Sequence, residues 1–232
     1  MSKKLNLTFL KYTNQGHYFA EYEMPEASCF LSYPTIDYLA LYGEKTDSKY
    51  HFPALCFYEY DDKFDGIHGI FDAVYYDNKN LLNKYRSRLK DFTYVISPDY
   101  SICGDIPFIE NAYRIFKSRI VGSYLVTALN KIVIPNISFV DEKTKEVALS
   151  GIAKHSTVAL STKGLLRRSH KLLEYIVDET LKVIEPSVII LYNVAVNSPW
   201  LKNIIESIEN AGAKVIMPPN KLLIRNQILE GK

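Results

Sequence analysis

The sequence predicts an α/β fold in which repeated β-α units surround a mainly parallel sheet. Three observations lead there. Short runs such as 54–60 and 187–192 are apolar without polar alternation, as strands buried on both faces require. The segments between them carry apolar residues at three- and four-residue spacing, which places those residues on one side of a helix. The alternation repeats about six times after residue 54, the rhythm of strand, covering helix and next strand. A barrel-like arrangement, a complete or incomplete TIM-type barrel, satisfies this pattern; the alternative is an open doubly wound sheet. No Gly-rich fingerprint opens the first β-α turn, which counts against a dinucleotide-binding form.

The chain changes character near residue 50. Residues 1–50 are rich in Tyr, Phe and turn residues, and Pro25, Pro34 and Gly43 interrupt them. They read as a strand and loop extension packed on a β/α core of residues 51–232. After the run at 54–60 comes the acidic turn Asp61-Asp62-Lys63-Phe64-Asp65-Gly66. It lacks the ligand pattern of a calcium loop and reads as a solvated turn. A helix is expected over 78–90 and a strand over 92–97. The turn Pro98-Asp99-Tyr100-Ser101 leads to a long helix over 107–130, with Ile109, Ala112, Tyr113, Phe116 and Ile120 on its apolar face. Pro107 suits its first turn.

A strand over 131–139, a short helix over 142–149 and a strand over 157–160 follow. The next helix, 165–184, ends before Pro186, because proline disfavours a helical residue in front of it. After the strand at 187–192, Ser198 and Pro199 open a helix that Gly212 closes. A last strand, 213–217, stops at Pro218-Pro219.

Composition narrows the function classes. Of 232 residues, 47% are hydrophobic and 23% charged, an ordinary globular balance. A net charge of +2 gives no protein-wide attraction to nucleic acid or membrane. Three separated cysteines, Cys29, Cys56 and Cys103, imply a reducing, cytoplasmic compartment rather than a disulfide framework. No run reaches the length of about 20 apolar residues that a membrane helix needs. The 18 tyrosines fit half-buried faces and recognition surfaces equally well.

In parallel α/β folds ligands bind where strands end. The residues just past each strand are Asp61 and Asp62; Asp99 and Ser101, with Asp105 beyond; Asn136 and Ser138; Ser161, Thr162 and Lys163; and Tyr192 and Asn193. The segment Ser161-Thr162-Lys163-Gly164, with Arg167, Arg168 and Lys171 after it, puts cations at the start of a helix, where free N–H groups favour an anion. A helix cap with a solvated basic face explains it equally well. Asp99 is a candidate acid/base group or, with Asp105, a ligand for a divalent cation. An Asx-turn role for Asp99 and an N-cap role for Asp105 are the bland alternatives. Arg119 could clamp an anion through its guanidinium fork or pair with Asp99 or Asp105. The histidines show no zinc spacing, and Ser161 lies outside any nucleophile elbow.

Several motifs carry a family resemblance: Ser97-Pro98-Asp99-Tyr100-Ser101, Asp105-Ile106-Pro107, Ser118-Arg119-Ile120-Val121-Gly122-Ser123-Tyr124, Ile134-Pro135 with Ser138, and Val158-Ala159-Leu160-Ser161-Thr162-Lys163-Gly164. Over roughly residues 55–195 the chain resembles a bacterial and phage family known as domain of unknown function 4417. It departs from the family pattern at Leu125-Val126, in place of Trp-Gln, at Phe139, in place of Trp, and at Asn193, in place of Gly. The resemblance implies a phage or mobile-element origin and no established reaction.

Three functions are expected. The first is a pocket for a phosphorylated small molecule or nucleotide, with Asp99 as acid, base or metal ligand. Arg119, Asn136, Asn193 and Ser161 to Gly164 would bind the ligand; no motif names a cofactor. The second is a non-catalytic module that engages a host or phage protein, with residues 1–50 as the surface. Nucleic-acid binding through 114–119 and 163–171 comes last, given the near-neutral charge.

Overall fold

The computed structural model describes residues 7–13, 17–164 and 170–231. After a 3-10 turn at Thr8–Tyr12, a hairpin pairs β1 (Tyr18–Phe19) antiparallel with β2 (Met24–Pro25). Strand β3 (Tyr38–Leu41) and strand β4 (Pro53–Cys56) come next, then helices α1 (Ile70–Tyr75) and α2 (Lys79–Leu89). Strand β5 (Tyr94–Ile96), helix α3 (Phe108–Leu129), strand β6 (Ile132–Ile134) and helix α4 (Glu142–Leu149) follow. The chain then runs through β7 (Thr157–Ser161), α5 (His170–Ile184), β8 (Val188–Tyr192), α6 (Pro199–Asn210), β9 (Lys214–Ile216) and α7 (Lys221–Glu230).

Strands β3 to β9 pair in parallel, as the unbroken apolar runs predict, but they form two sheets: β3-β4-β5-β6 and β7-β8-β9. Isolated bridges, Asn136 with Ala159 and Leu39 with Asn220, link the sheets at both seams. The continuous ladder of a closed TIM-type barrel is not formed. Both sheets keep sequential strand order, so the order reversal that defines a doubly wound sheet is missing too.

Alternate residues of each strand explain the layers. Leu39, Leu41, Ala54, Cys56, Ile96, Ile134, Ala159, Val188 and Ile190 meet in one apolar cluster between the sheets. The opposite faces pack on helices: Leu55, Val95 and Val133 join α1, α2 and α3, while Val158, Leu160, Ile189 and Leu191 join α4, α5 and α6.

Local chemistry sets the helix ends. The Asn78 side chain accepts from Leu81 N–H at 3.3 Å and caps α2. Asp141 and Thr144 form a reciprocal capping box on α4, which satisfies N–H groups the helix leaves open. Asn130 ends α3 in the left-handed region, at φ 53°, and Gly212 follows α6 at φ 88°.

Several expectations are corrected. Strand β3 lies inside residues 1–50 and is a full member of the parallel sheet, so the compositional break near residue 50 is not the edge of the core. Pro107 is the N-cap of α3 with no side-chain cap, and Asp105 is exposed in the preceding turn. Ser198 makes no capping bond to α6. Ile109 is exposed; α3 instead buries Ala112, Ile115 and the whole run from Arg119 to Leu125, because it packs against α1 and the 3-10 turn as well as α4 and β2. The first part of the helix expected over 165–184, including Arg167 and Arg168, lies outside the described residues. Tyr12, Tyr38 and Tyr42 are buried, so the core absorbs part of the tyrosine excess. No helix among the described residues is long and apolar enough to cross a membrane.

Candidate functional site

Strands β5, β6 and β7 end side by side, and parallel pairing brings their exit turns to one rim. Between these turns and α5 lies a cavity that leaves about 250 Å³ for water centres. Its polar wall is Asp99 and Ser101 after β5, Asn136 and Ser138 after β6, and Ser161, Lys163 and Gly164 from β7 and its exit. Ile102, Ile137, Phe139, Val140 and Leu160, with Leu172, Leu173 and Ile176 of α5, form the apolar wall. Polar groups on one side and hydrocarbon on the other suit a small molecule.

Asp99 is the most perturbed acid of this cavity. Its Oδ1 accepts from Asn136 Nδ2 at 2.7 Å, and the Tyr58 hydroxyl donates to Asn136 Oδ1 at 2.9 Å. The Asn136 backbone N–H donates to Ser97 Oγ at 2.9 Å, so both ends of the residue are fixed. Tyr58 is buried, and desolvation holds its phenol well above the usual range, which keeps it a donor. Desolvation also raises the Asp99 carboxyl, to about 7; the Asn136 bond opposes the rise, the Asp61 charge adds to it and the Lys163 charge opposes it. A carboxylic acid that titrates near neutrality can give or take a proton. Asp99 therefore bonds a neighbouring strand exit rather than its own backbone.

Lys163 brings the cation. Its Nζ donates to the Tyr58 carbonyl, lies 3.3 Å from Glu59 Oε2 and sits 5.6 Å from the centre of the Tyr60 ring. The Lys163 N–H donates to Ser161 Oγ at 3.0 Å, which closes a tight turn at the β7 exit, and Gly164 follows at φ 85°.

Other expected site residues stand elsewhere. Thr162 is fully buried, and its Oγ1 accepts from Val194 N–H at 2.9 Å. Asn193 closes on Ala195, its Oδ1 accepting at 2.9 Å and its Nδ2 donating at 3.0 Å. These two residues lock the β7 and β8 exits to each other and do not line the cavity. Tyr192 packs in the interior, its ring 4.7 Å from that of Tyr58. Asp61 pairs with Arg114 at 2.6 Å and accepts from Ser101 Oγ at 2.9 Å, and Asp65 pairs with Lys117. The acidic turn is thus tied to α3 through Asp61 and Asp65, while Asp62, Lys63 and Gly66 are exposed. Asp105 is not brought to Asp99. Arg119 donates through Nη2 to the carbonyls of Ala148 at 2.7 Å and Ser150 at 3.1 Å, and lines a neighbouring cavity. Among the described residues no group of three or more His, Cys, Asp or Glu converges as a metal cluster.

The sequence reading missed Tyr58 and Glu59. It extended the β4 run to residue 60 and looked for exit residues at 61 and 62, whereas β4 ends at Cys56. The signal was there in the period of two: Ala54, Cys56 and Tyr58 share the inward face.

Fold and cavity together define an α/β protein with a small-molecule-sized cleft at the carboxyl ends of parallel strands. The chain belongs to the family described as Domain of unknown function (DUF4417), whose model matches residues 17–208. That span includes the hairpin and β3, in keeping with their packing on the core. Neither the curated proteins nor the solved structures give a match.

Proposed function

We propose that the chain binds a small anionic molecule, of the phosphate or nucleotide class, in the Asp99–Lys163 cavity, and that Asp99 transfers a proton there. One observation carries this reading: a carboxyl group held near neutral pKa by burial lines the same cavity as a lysine. Asn136, oriented by Tyr58, presents Asp99. Lys163 and the Ser161 to Gly164 turn would meet the anionic group. Ionisable groups whose surroundings shift them toward neutrality concentrate where chemistry is done.

The finer architecture belongs to the same reading: the two sheets act as an incomplete barrel whose rim gathers the exit turns. The bridges at both seams and the shared apolar interior support it. A cytoplasmic setting agrees with the thiol form of Cys29, Cys56 and Cys103, and a phage or mobile-element origin rests on the family resemblance.

The test is calorimetric titration of the full chain with inorganic phosphate and with nucleoside monophosphates, using wild type, Lys163→Met and Asp99→Asn. Saturable binding that Lys163→Met weakens about tenfold, with proton uptake or release that disappears in Asp99→Asn, is expected. Binding untouched by Lys163→Met places the anion elsewhere and defeats the assignment.

A further inference from the structure

Helix α3 turns three cations inward, and two of them have acids to meet. Arg114 lies 2.6 Å from Asp61 and 3.0 Å from Glu110, and Lys117 pairs with Asp65. Arg119 is the third. It is only 8% exposed, yet no carboxylate of the described residues pairs with it, and residues 1–6, 14–16, 165–169 and 232 contain neither Asp nor Glu. The two carbonyls that Nη2 reaches close the C-terminal end of α4, where a cation is favoured, but Nη1 is buried without a partner. A guanidinium out of water with no counter-charge carries a large desolvation cost. Burial accordingly lowers the Arg119 pKa to about 10.

Arg119 lines a cavity between α3, the exits of β5 and β6, and the Ala27–Ser28 segment. Tyr100 lines this cavity too, but its buried, unpartnered hydroxyl lies toward Asp65, Asp61 and Tyr85 rather than Arg119. Ser97 and Ser138 add hydroxyls, and Ile115 and Gly122 complete the wall. The Ser97 Oγ already accepts from Asn136 N–H, which leaves its proton to donate. A bare cation with an unpartnered N–H at this space calls for an acceptor of negative charge.

We propose that this cavity is a binding site for a small carboxylate, with Arg119 as the counter-charge and Ser97 as a further donor. Size selects the class. The cavity leaves about 30 Å³ for water centres, against about 10–15 Å³ for one water. Two or three heavy atoms of a planar carboxylate fit, and the five of a tetrahedral phosphate do not. The planar fork of arginine matches a carboxylate edge. This site is separate from the one proposed at Asp99 and Lys163, neither of which lines it, although Ile102, Asn136 and Ser138 form a common wall.

The test is an NMR titration of the full chain with formate, chloride and phosphate at matched ionic strength, following the Arg119 Nε–Hε and Ile115 methyl signals. Formate is expected to shift both saturably, and chloride and phosphate are not. A Gly122→Ala chain supplies the variant, because an added Cβ meets only Val133 Cγ1 at 3.7 Å and Ser97 Cβ at 3.9 Å, ordinary contacts that leave the fold intact while narrowing the cavity. It should weaken formate binding about tenfold. No saturable shift in the wild type means that the cavity holds water only and overturns the proposal. Equal responses to chloride or phosphate overturn the carboxylate assignment, and undiminished formate binding in Gly122→Ala overturns the location.

Discussion

Asn136 and Asp99, 37 positions apart, leave consecutive strands and meet side chain to side chain at 2.7 Å. The contact uses one carboxylate oxygen of Asp99 and leaves the other to the cavity. Because burial raises this carboxyl to about 7, the folded chain holds the proton more tightly than the unfolded chain, whose aspartates titrate near about 3.9. Folded-state stability then falls as pH rises through the window from about 4 to about 7, and the deficit is complete above it. Asp99→Asn keeps an acceptor for Asn136 and removes the charge. The variant should be more stable than wild type by about 2 kcal/mol at pH 8, allowing for partial solvation, and should lose that gain below pH 4. Urea unfolding at a series of pH values reads the difference, and a pH-independent gap would contradict the shifted carboxyl.

Tyr58 sets the direction of the Asn136 amide. Tyr58→Phe removes the donor to Oδ1 and leaves a half-buried carbonyl oxygen unpaired, at a cost of about 1–2 kcal/mol. The amide becomes free to rotate and its bond to Asp99 weakens. Since that bond holds the carboxyl down, the Asp99 pKa should rise further in the variant. Carboxyl carbon NMR titration checks the direction; a downward shift would rule out the relay.

Lys117 shows what α3 needs from the acidic turn. Its ammonium pairs with Asp65 and lies 4.3 Å from the centre of the Tyr100 ring, and the residue is buried. Lys117→Met keeps the aliphatic stem and strands Asp65, so a loss of about 3 kcal/mol is expected. Adding Asp65→Asn removes the stranded charge and should recover part of the loss. A double-mutant cycle by chemical unfolding measures the coupling, and additive losses would show that the pair is incidental.

The parallel strands, the helices between them and one wall of the cavity were legible because they rest on local chemistry. Apolar runs mark both-faces-buried strands, and Asp99, Asn136, Ser138, Ser161 and Lys163 fall at or just past strand ends. What stayed hidden depends on pairings distant in sequence. Strand β3 carries no helix of its own before β4, so its four buried residues, Tyr38 to Leu41, read as part of a loop-rich extension. For Arg119, read as an anion clamp, only the fold shows that Nη2 turns to the end of α4 and leaves Nη1 without a partner. Thr162 sits between two cavity residues in the chain, but alternation sends its side chain into the packed seam between exits, where it meets Asn193 at 3.3 Å. Helix α7 was missed because Pro218-Pro219 looked terminal, although Asn220 is a ready N-cap.

Asn220 ties that last helix to both sheets. Its Oδ1 accepts from Leu223 N–H at 3.0 Å and caps α7, its Nδ2 donates to the Asn193 carbonyl at 2.7 Å, and its backbone bridges Leu39 at the seam. The side chain is fully buried, so water cannot replace either bond. Asn220→Ala loses the cap, worth about 1 kcal/mol, and orphans a buried carbonyl, worth about 1–3 kcal/mol. A total loss of about 2–4 kcal/mol follows. Asn220→Asp retains the capping oxygen but replaces the donor to Asn193 with a second acceptor, so it should restore α7 without restoring the seam. Hydrogen exchange separates the two: in Asn220→Ala the amides of Leu223 and Leu39 should both lose protection, and in Asn220→Asp chiefly that of Leu39. Equal protection of Leu39 in both variants and wild type would mean that the bridge holds without its side-chain lock.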